Sequence, residues 1–194
     1  MGDFGLWFST GIEHILNWTA YDHVLFLVVL SCACDLSQKR KILLLVTAFT
    51  IGHSLTLVLS ALNIFALPVN LIEILIPVTI LITAIYNVLP KKERTIGGLN
   101  YWMALSFGLI HGMGFSFVLR EMLGKEEGIL VPLFAFNIGI EIAQVIVISV
   151  ILIFYLFSDA VMKVPIRKRA IFVSIAAIIF SLLMIVDRII ELKN

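Results

Sequence analysis

The sequence ILLLVTAFTIGHSLTLVLSAL occupies residues 42–62 and contains no charged side chain. About 20 consecutive apolar residues form a helix long enough to cross the hydrocarbon core of a bilayer. Helices of soluble proteins normally keep a polar, charged face, which this stretch lacks. It therefore predicts a transmembrane helix. Residues 170–186 are uncharged in the same way and predict another.

The whole chain of 194 residues shares this apolar character. Hydrophobic residues make up 61% of it, against about 45–50% in a soluble domain. The net charge of +1 and the lack of a basic stripe argue against a nucleic-acid partner. The prediction is an all-α integral membrane protein, a single domain over residues 1–194 forming a six-transmembrane-helix bundle. The predicted spans are approximately 17–35, 41–62, 68–89, 98–123, 129–157 and 169–191, and residues 4–16 either lie in the interface or extend the first span.

Lysine and arginine are distributed unevenly between alternate loops. Ten of the 14 fall in the first, third and fifth predicted loops. Because positive residues accumulate on the cytoplasmic side of a membrane, these three loops are predicted to be cytoplasmic. Both termini are then outside, and the protein is a multi-pass protein of the inner (plasma) membrane.

Ionisable and amide side chains recur at similar depth on four predicted helices, roughly 8–18 Å from the outer surface. A charged residue at the centre of a membrane helix costs roughly 2.5–3.5 kcal/mol. That cost is avoided when such residues face the bundle interior and pair with each other or bind a cation. A shared intramembrane site is therefore predicted from Asp22, His23, His53, His111, Asn137 and Glu141.

Local patterns support convergence of these residues. Asn137, Glu141 and Gln144 are spaced i, i+4 and i+7, which places them on one helical face. Gly108 and Gly112 bracket His111 in a small-xxx-small pattern that permits close helix approach. A short motif, F-x-x-x-H followed by a small residue, occurs at 49–54 and again at 107–112.

Imidazole and carboxylate groups together suit divalent nickel, cobalt, zinc or iron. They suit copper(I) poorly, since that ion prefers thiolates and thioethers. Cys32 and Cys34 are compatible with a soft-metal relay, but their spacing favours small, buried, apolar packing residues.

Four blocks of sequence resemble the HupE/UreJ family, particularly its second subgroup. They are GIEHIL…YDHVLFL (11–27), FTIGHSLTL (49–57), FGLIHGMGF (107–115) and FNIGIEIAQ (136–144). The resemblance implies a nickel or cobalt permease associated with hydrogenase or urease maturation. It also implies that the metal-handling residues are His14, Asp22, His23, His53, His111 and Glu141, with Asn137 and Gln144 in support.

Three functions are compatible with these residues. The favoured hypothesis is a divalent-metal transporter whose partners are the lipid bilayer and the metal ion. The alternative is an intramembrane metalloenzyme, a zinc or di-metal hydrolase open to the outer side, in which Glu141 or Ser54 assists catalysis. The third is haem ligation by facing histidines. The sequence leaves the metal unidentified and a homo-oligomer open.

Overall fold

A computed structural model describes residues 4–17, 21–34, 36–65, 67–90, 97–123 and 128–193. All regular structure in these ranges is helical, which confirms the all-α prediction. A short 3-10 helix (Leu36–Gln38) precedes the third α-helix. The α-helices are α1 (Phe4–Leu16), α2 (Tyr21–Ser31), α3 (Lys39–Ala61), α4 (Val69–Val88), α5 (Gly98–Leu123), α6 (Leu130–Met162) and α7 (Ile166–Glu191).

Four of these helices are long and apolar enough to cross a membrane, judged over the described part of the chain. They are α3, α4, α6 and α7, and each contains at least 20 suitable residues. At about 1.5 Å per residue, 20 residues cover the hydrocarbon thickness of about 30 Å. Their outward faces carry many exposed apolar side chains, as lipid contact requires.

The first predicted span, 17–35, differs from the observed structure. Its helix α2 has only 11 residues, about 16 Å of helix, which is too short to cross the bilayer alone. Among the described residues α2 begins at Tyr21, and the side chain of Asp22 accepts the backbone N–H of His23 at 2.9 Å. Such an acceptor satisfies a donor that the first turn of a helix leaves open.

Helix α1 is part of the bundle, because glycines bring it into close contact with α6. A Cβ atom at Gly11 would overlap the carbonyl oxygen of Phe136. Reciprocally, a Cβ at Gly139 would overlap the carbonyl oxygen of Phe8. The buried face of α1 includes Trp7. Helix α1 thus packs against α6, and whether residues 4–16 lie in the interface or extend the first span stays a prediction.

Glycines also bring α3 and α5 together, as the pattern around His111 predicted. A Cβ atom at Gly108 would overlap the carbonyl oxygen of Phe49, and one at Gly112 would overlap that of His53. Moving four residues along α5, from Gly108 to Gly112, moves the contact four residues along α3, from Phe49 to His53. The two helices therefore run in the same direction. The remaining major packing pair is α4 with α7.

Two arginines at the start of α7 hold the ends of two other helices. Arg169 donates to the carbonyl oxygens of Cys32 (3.3 Å) and Cys34 (2.8 Å), just after α2. Arg167 donates to the carbonyl oxygen of Val88 at 2.8 Å, at the end of α4. These carbonyls lack partners within their own helices. The ends of α2 and α4 and the start of α7 therefore lie together at one end of the bundle.

Candidate metal centre

Three histidines from three helices meet inside the bundle. His14 of α1, His23 of α2 and His53 of α3 each offer a ring nitrogen, and these nitrogens lie within 4.8 Å of one another. The ring centroid of His14 is 4.8 Å from that of His23 and 5.8 Å from that of His53. Imidazole nitrogens bound to one zinc-sized ion at about 2.0–2.1 Å lie within about 4 Å of each other. A small closing movement would therefore allow all three to share an ion.

The break between α1 and α2 makes this meeting possible. His14 and His23 are nine residues apart. In a continuous helix they would lie about 13.5 Å apart along the axis, on opposite faces, because nine residues make two and a half turns. Only an interrupted helix can place their rings 4.8 Å apart.

The fourth histidine, His111 of α5, adjoins this group, with its ring centroid 4.9 Å from that of His23. In all four histidines the Nε2 atom is buried and has no hydrogen-bond partner among the described residues. In His53 neither ring nitrogen has one. Each unsatisfied buried polar atom costs about 1–3 kcal/mol, so four at one place indicate that a ligand belongs there. The name histidine cluster is used below for His14, His23, His53 and His111.

Two of the rings are oriented by hydrogen bonds at Nδ1. Nδ1 of His23 lies 3.0 Å from Oδ1 of Asp22, and Nδ1 of His111 lies 2.9 Å from the carbonyl oxygen of Phe107. Because both partners accept, each Nδ1 carries the proton and each Nε2 keeps its lone pair. Carboxylate and carbonyl partners of this kind orient metal-binding histidines and raise their basicity. Asp22 thus contacts His23 and orients it.

Phenylalanine rings enclose the cluster. Phe115 lies 4.2 Å and Phe136 5.7 Å from His14, measured between ring centroids. Phe49 lies 5.3 Å from His111. Such walls exclude water and strengthen electrostatic interactions inside. This role of phenylalanine was not predicted from the sequence, although the F-x-x-x-H repeat puts Phe49 one helical turn before His53.

The other predicted site residues lie between α3 and α6. Oε1 of Glu141 accepts a hydrogen bond from the hydroxyl of Thr47 at 2.9 Å. Oδ1 of Asn137 accepts one from Ser54 at 2.6 Å. A cavity of about 310 Å³ lies between these residues. It is called the oxygen groove below and is defined by the polar residues Thr47, Thr50, Ser54, Asn137 and Glu141.

Gln144 completes the same face of α6, since its Oε1 accepts from Thr50 at 2.9 Å. Thr47 was missed from the sequence. The signal was its spacing, because Thr47, Thr50 and Ser54 stand at i, i+3 and i+7, the arrangement of one helical face.

Comparison with known proteins identifies the family. Residues 1–188 match a family model described as HupE / UreJ protein, the one for the second subgroup. The match covers nearly the whole chain, which therefore belongs to this family, as the sequence blocks predicted. No curated protein and no solved structure matches the chain. The family and the apolar helices together make it a multi-pass membrane protein.

Proposed function

We propose that this member of the HupE/UreJ family is a divalent-metal transporter of the nickel or cobalt type, and that its cargo passes through the histidine cluster. The observation that carries the proposal is the set of four buried Nε2 atoms without a hydrogen-bond partner among the described residues, on imidazole rings that adjoin one another. The family relationship favours nickel and cobalt. Imidazole nitrogens suit nickel, zinc, copper and iron.

The break between α1 and α2 supports transport over permanent binding. Discontinuous helices at the substrate site are a recurring device of membrane transporters. His14 stands on one side of the break and His23 on the other. A small movement of α1 relative to α2 would therefore change the number of imidazoles that reach the ion, which allows release.

The proposed topology has six crossings with both termini outside. Helices α1 and α2 together form the first crossing, and α3 to α7 form the other five. The contacts of Arg167 and Arg169 support it, because they join the first, third and fifth loops at one end of the bundle. Those loops carry most of the positive charge, which supports placing them on the cytoplasmic side of the plasma membrane.

Cysteine labelling tests this topology in a background without Cys32 and Cys34. A cysteine replacing Asn63 is expected to react with an impermeant maleimide added outside intact cells. A cysteine replacing Lys163 is expected to react only after the cells are opened. The opposite pattern would reverse the orientation.

The enzyme hypothesis required Glu141 or Ser54 next to the metal. Both have hydrogen-bond partners in the oxygen groove, Thr47 and Asn137. Among the described residues, Glu141 is not part of the group of possible metal ligands that contains His14, His23 and His53. The geometry therefore favours binding and passage of a metal over hydrolysis at it.

Uptake into proteoliposomes tests the proposed function. Purified protein would be reconstituted around a metal-sensitive dye, and Ni²⁺, Co²⁺, Zn²⁺ or Mg²⁺ added outside. Ni²⁺ or Co²⁺ is expected to enter the proteoliposomes but not empty liposomes. Entry of Mg²⁺ is expected to be weak. Tight stoichiometric metal that survives mild chelation, with no entry of any ion, would overturn transport and revive the enzyme hypothesis.

A further inference from the structure

The oxygen groove presents a chemistry different from that of the histidine cluster. Its polar lining consists of one carboxylate, three hydroxyls and one amide, from Thr47, Thr50, Ser54, Asn137 and Glu141. None of these groups is a nitrogen or sulfur ligand for a transition metal, since the amide nitrogen of Asn137 is a donor and donates to the carbonyl oxygen of Leu133. Carboxylate, carbonyl and hydroxyl oxygens suit hard cations. The groove is thus suited to a class of ion that the imidazoles do not favour.

The carboxylate of Glu141 lies where an unpaired negative charge is unfavourable. The groove opens sideways from the bundle, because two of its lining residues, Ile51 and Phe134, are 57% and 64% exposed. In the membrane that surface faces lipid. The carboxylate accepts a hydrogen bond from the hydroxyl of Thr47, and it forms no ion pair with a described residue. Intramembrane carboxylates pair, bind cations or become protonated.

The size of the groove decides between a bare and a hydrated ion. Thr47 and Ser54 are seven residues apart, about 10 Å along α3, so one ion cannot contact both. The cavity of about 310 Å³ has room for about ten waters at roughly 30 Å³ each. A cation at the Glu141–Thr47 end would keep part of its hydration shell, with water reaching the Asn137–Ser54 end.

The charge of the groove determines the valence of the cation that it favours. Glu141 is the one ionisable group in its lining. A monovalent cation therefore gives a neutral groove, whereas a divalent cation would leave a net positive charge beside lipid. Since charge in that position is unfavourable, the groove favours a monovalent ion.

We infer that the oxygen groove between α3 and α6 is a second cation site, which binds a partly hydrated alkali-metal ion of the Na⁺ class at the carboxylate of Glu141. The site is separate from the histidine cluster and does not rest on the transport proposal. It is connected to that cluster through α3, where Ser54 in the groove follows His53 directly.

Thermal unfolding in detergent tests this site. Purified full-length protein, treated with a chelator so that no transition metal remains, would be compared in NaCl and in choline chloride at equal ionic strength. Since a ligand that binds only the folded state raises its stability, Na⁺ is expected to raise Tm by about 2–4 °C in a saturable manner. No difference between the two salts in the wild-type protein would overturn the proposal.

Three variants locate the effect. Glu141→Gln keeps the shape and the acceptor for Thr47, and it is expected to abolish the Na⁺-dependent shift. Glu141→Asp is expected to retain part of it. Glu73→Gln is the matched control, because it removes a carboxylate that already has Arg188 at 3.9 Å, and it is expected to retain the full shift.

Further outcomes distinguish a sodium site at Glu141 from binding of sodium elsewhere or of Mg²⁺. A Na⁺ shift of full size in Glu141→Gln would overturn the site, as would stabilisation by Mg²⁺ at lower concentration than Na⁺. Should Glu141→Gln fail to fold, ²³Na NMR line broadening by wild-type protein provides the second measurement. Broadening that persists unchanged in Thr47→Val and in Ser54→Ala would place sodium elsewhere. Because every measurement is made without transition metal, the result does not depend on whether nickel is transported.

Discussion

Helix α3 presents adjacent residues to two chemically opposite sites. His53 is completely buried among imidazole and phenylalanine rings. The next residue, Ser54, donates to Asn137 in a groove lined by oxygen atoms. Successive residues of a helix are separated by about 100° of rotation, which is enough to direct them at different neighbours. One helix can therefore serve a nitrogen site and an oxygen site at the same depth.

The two sites also differ in what surrounds them. Phenylalanine rings and close backbone contacts at Gly108 and Gly112 enclose the histidine cluster. The oxygen groove opens at the bundle surface beside Ile51 and Phe134. Enclosure strengthens coordination and selects against water, while an open groove admits a hydrated ion. The tightly packed face of α3 therefore holds the softer ligands, and its loosely packed face holds the harder ones.

The largest effect is expected from a change that removes both sites together. Gly108→Leu would drive a side chain into the backbone of α3 at Phe49 and His53. Backbone cannot move aside as a side-chain tip can, so the free energy of unfolding should fall by about 3 kcal/mol or more. Size-exclusion profiles and thermal unfolding would measure the loss.

Gly114→Ala is the control for this prediction. It lies on the same helix, and its added Cβ would meet Ile72 at an ordinary contact distance of 3.4 Å. It should fold and retain both ion responses. A Gly108→Leu protein of normal stability would contradict the close α3–α5 packing on which the comparison depends.

A change of one residue should separate the two sites. His53→Ala removes a ligand whose two ring nitrogens lack hydrogen-bond partners, and Ni²⁺ affinity measured by titration calorimetry should fall by at least about 100-fold. Its Na⁺-dependent thermal shift should remain. Ser54→Ala, one residue further on, should keep Ni²⁺ affinity within about threefold. Equal losses of Ni²⁺ affinity in both variants would mean that the two faces of α3 form one site.

A smaller effect is expected from the residue that orients His23. Asp22→Asn keeps the size of the side chain and weakens its acceptance of the Nδ1–H. Losses of about 10–100-fold in metal affinity are typical for such partners. Glu13→Gln serves as the control, because this exposed carboxylate precedes His14 on the face of α1 that points outward. A loss in Asp22→Asn as large as in His53→Ala would instead indicate that Asp22 binds the metal directly.

The smallest effect on metal binding is expected from the cysteines. Cys32 and Cys34 are buried near Arg169, and their carbonyls, as well as their thiols, take part in local hydrogen bonds. Replacing both with alanine should lower the free energy of unfolding by about 1 kcal/mol. Nickel affinity should stay within about threefold of wild type. A clear loss of transport would support the soft-metal relay instead.

Hydropathy was sufficient to predict the long helices. The uncharged stretches at 42–62 and 170–186 correspond to α3 and α7 with small shifts at their ends. The predicted fifth span, 129–157, continues as helix to Met162, because nothing in the residues beyond 157 interrupts helix formation before Lys163. Composition determines such elements locally, since each helix satisfies its own backbone in lipid.

The candidate site was only partly accessible from sequence. Depth in the membrane grouped His23, His53 and His111, whose rings adjoin in the structure, with Glu141, which lies in the oxygen groove. Depth is a coordinate along the bundle axis and contains no information about direction around it. Glu141 contacts Thr47 because of how α6 is rotated against α3.

The helical class, the four long apolar helices and the inventory of side chains able to bind a metal follow from local composition and side-chain chemistry, so they were accessible from the sequence. Tertiary structure decided the rest. The first predicted span is interrupted, which allows His14 to contact His23. The polar residues of α3 and α6 are divided between two sites. Such choices depend on which helices touch and at what rotation, and those are properties of the packed bundle.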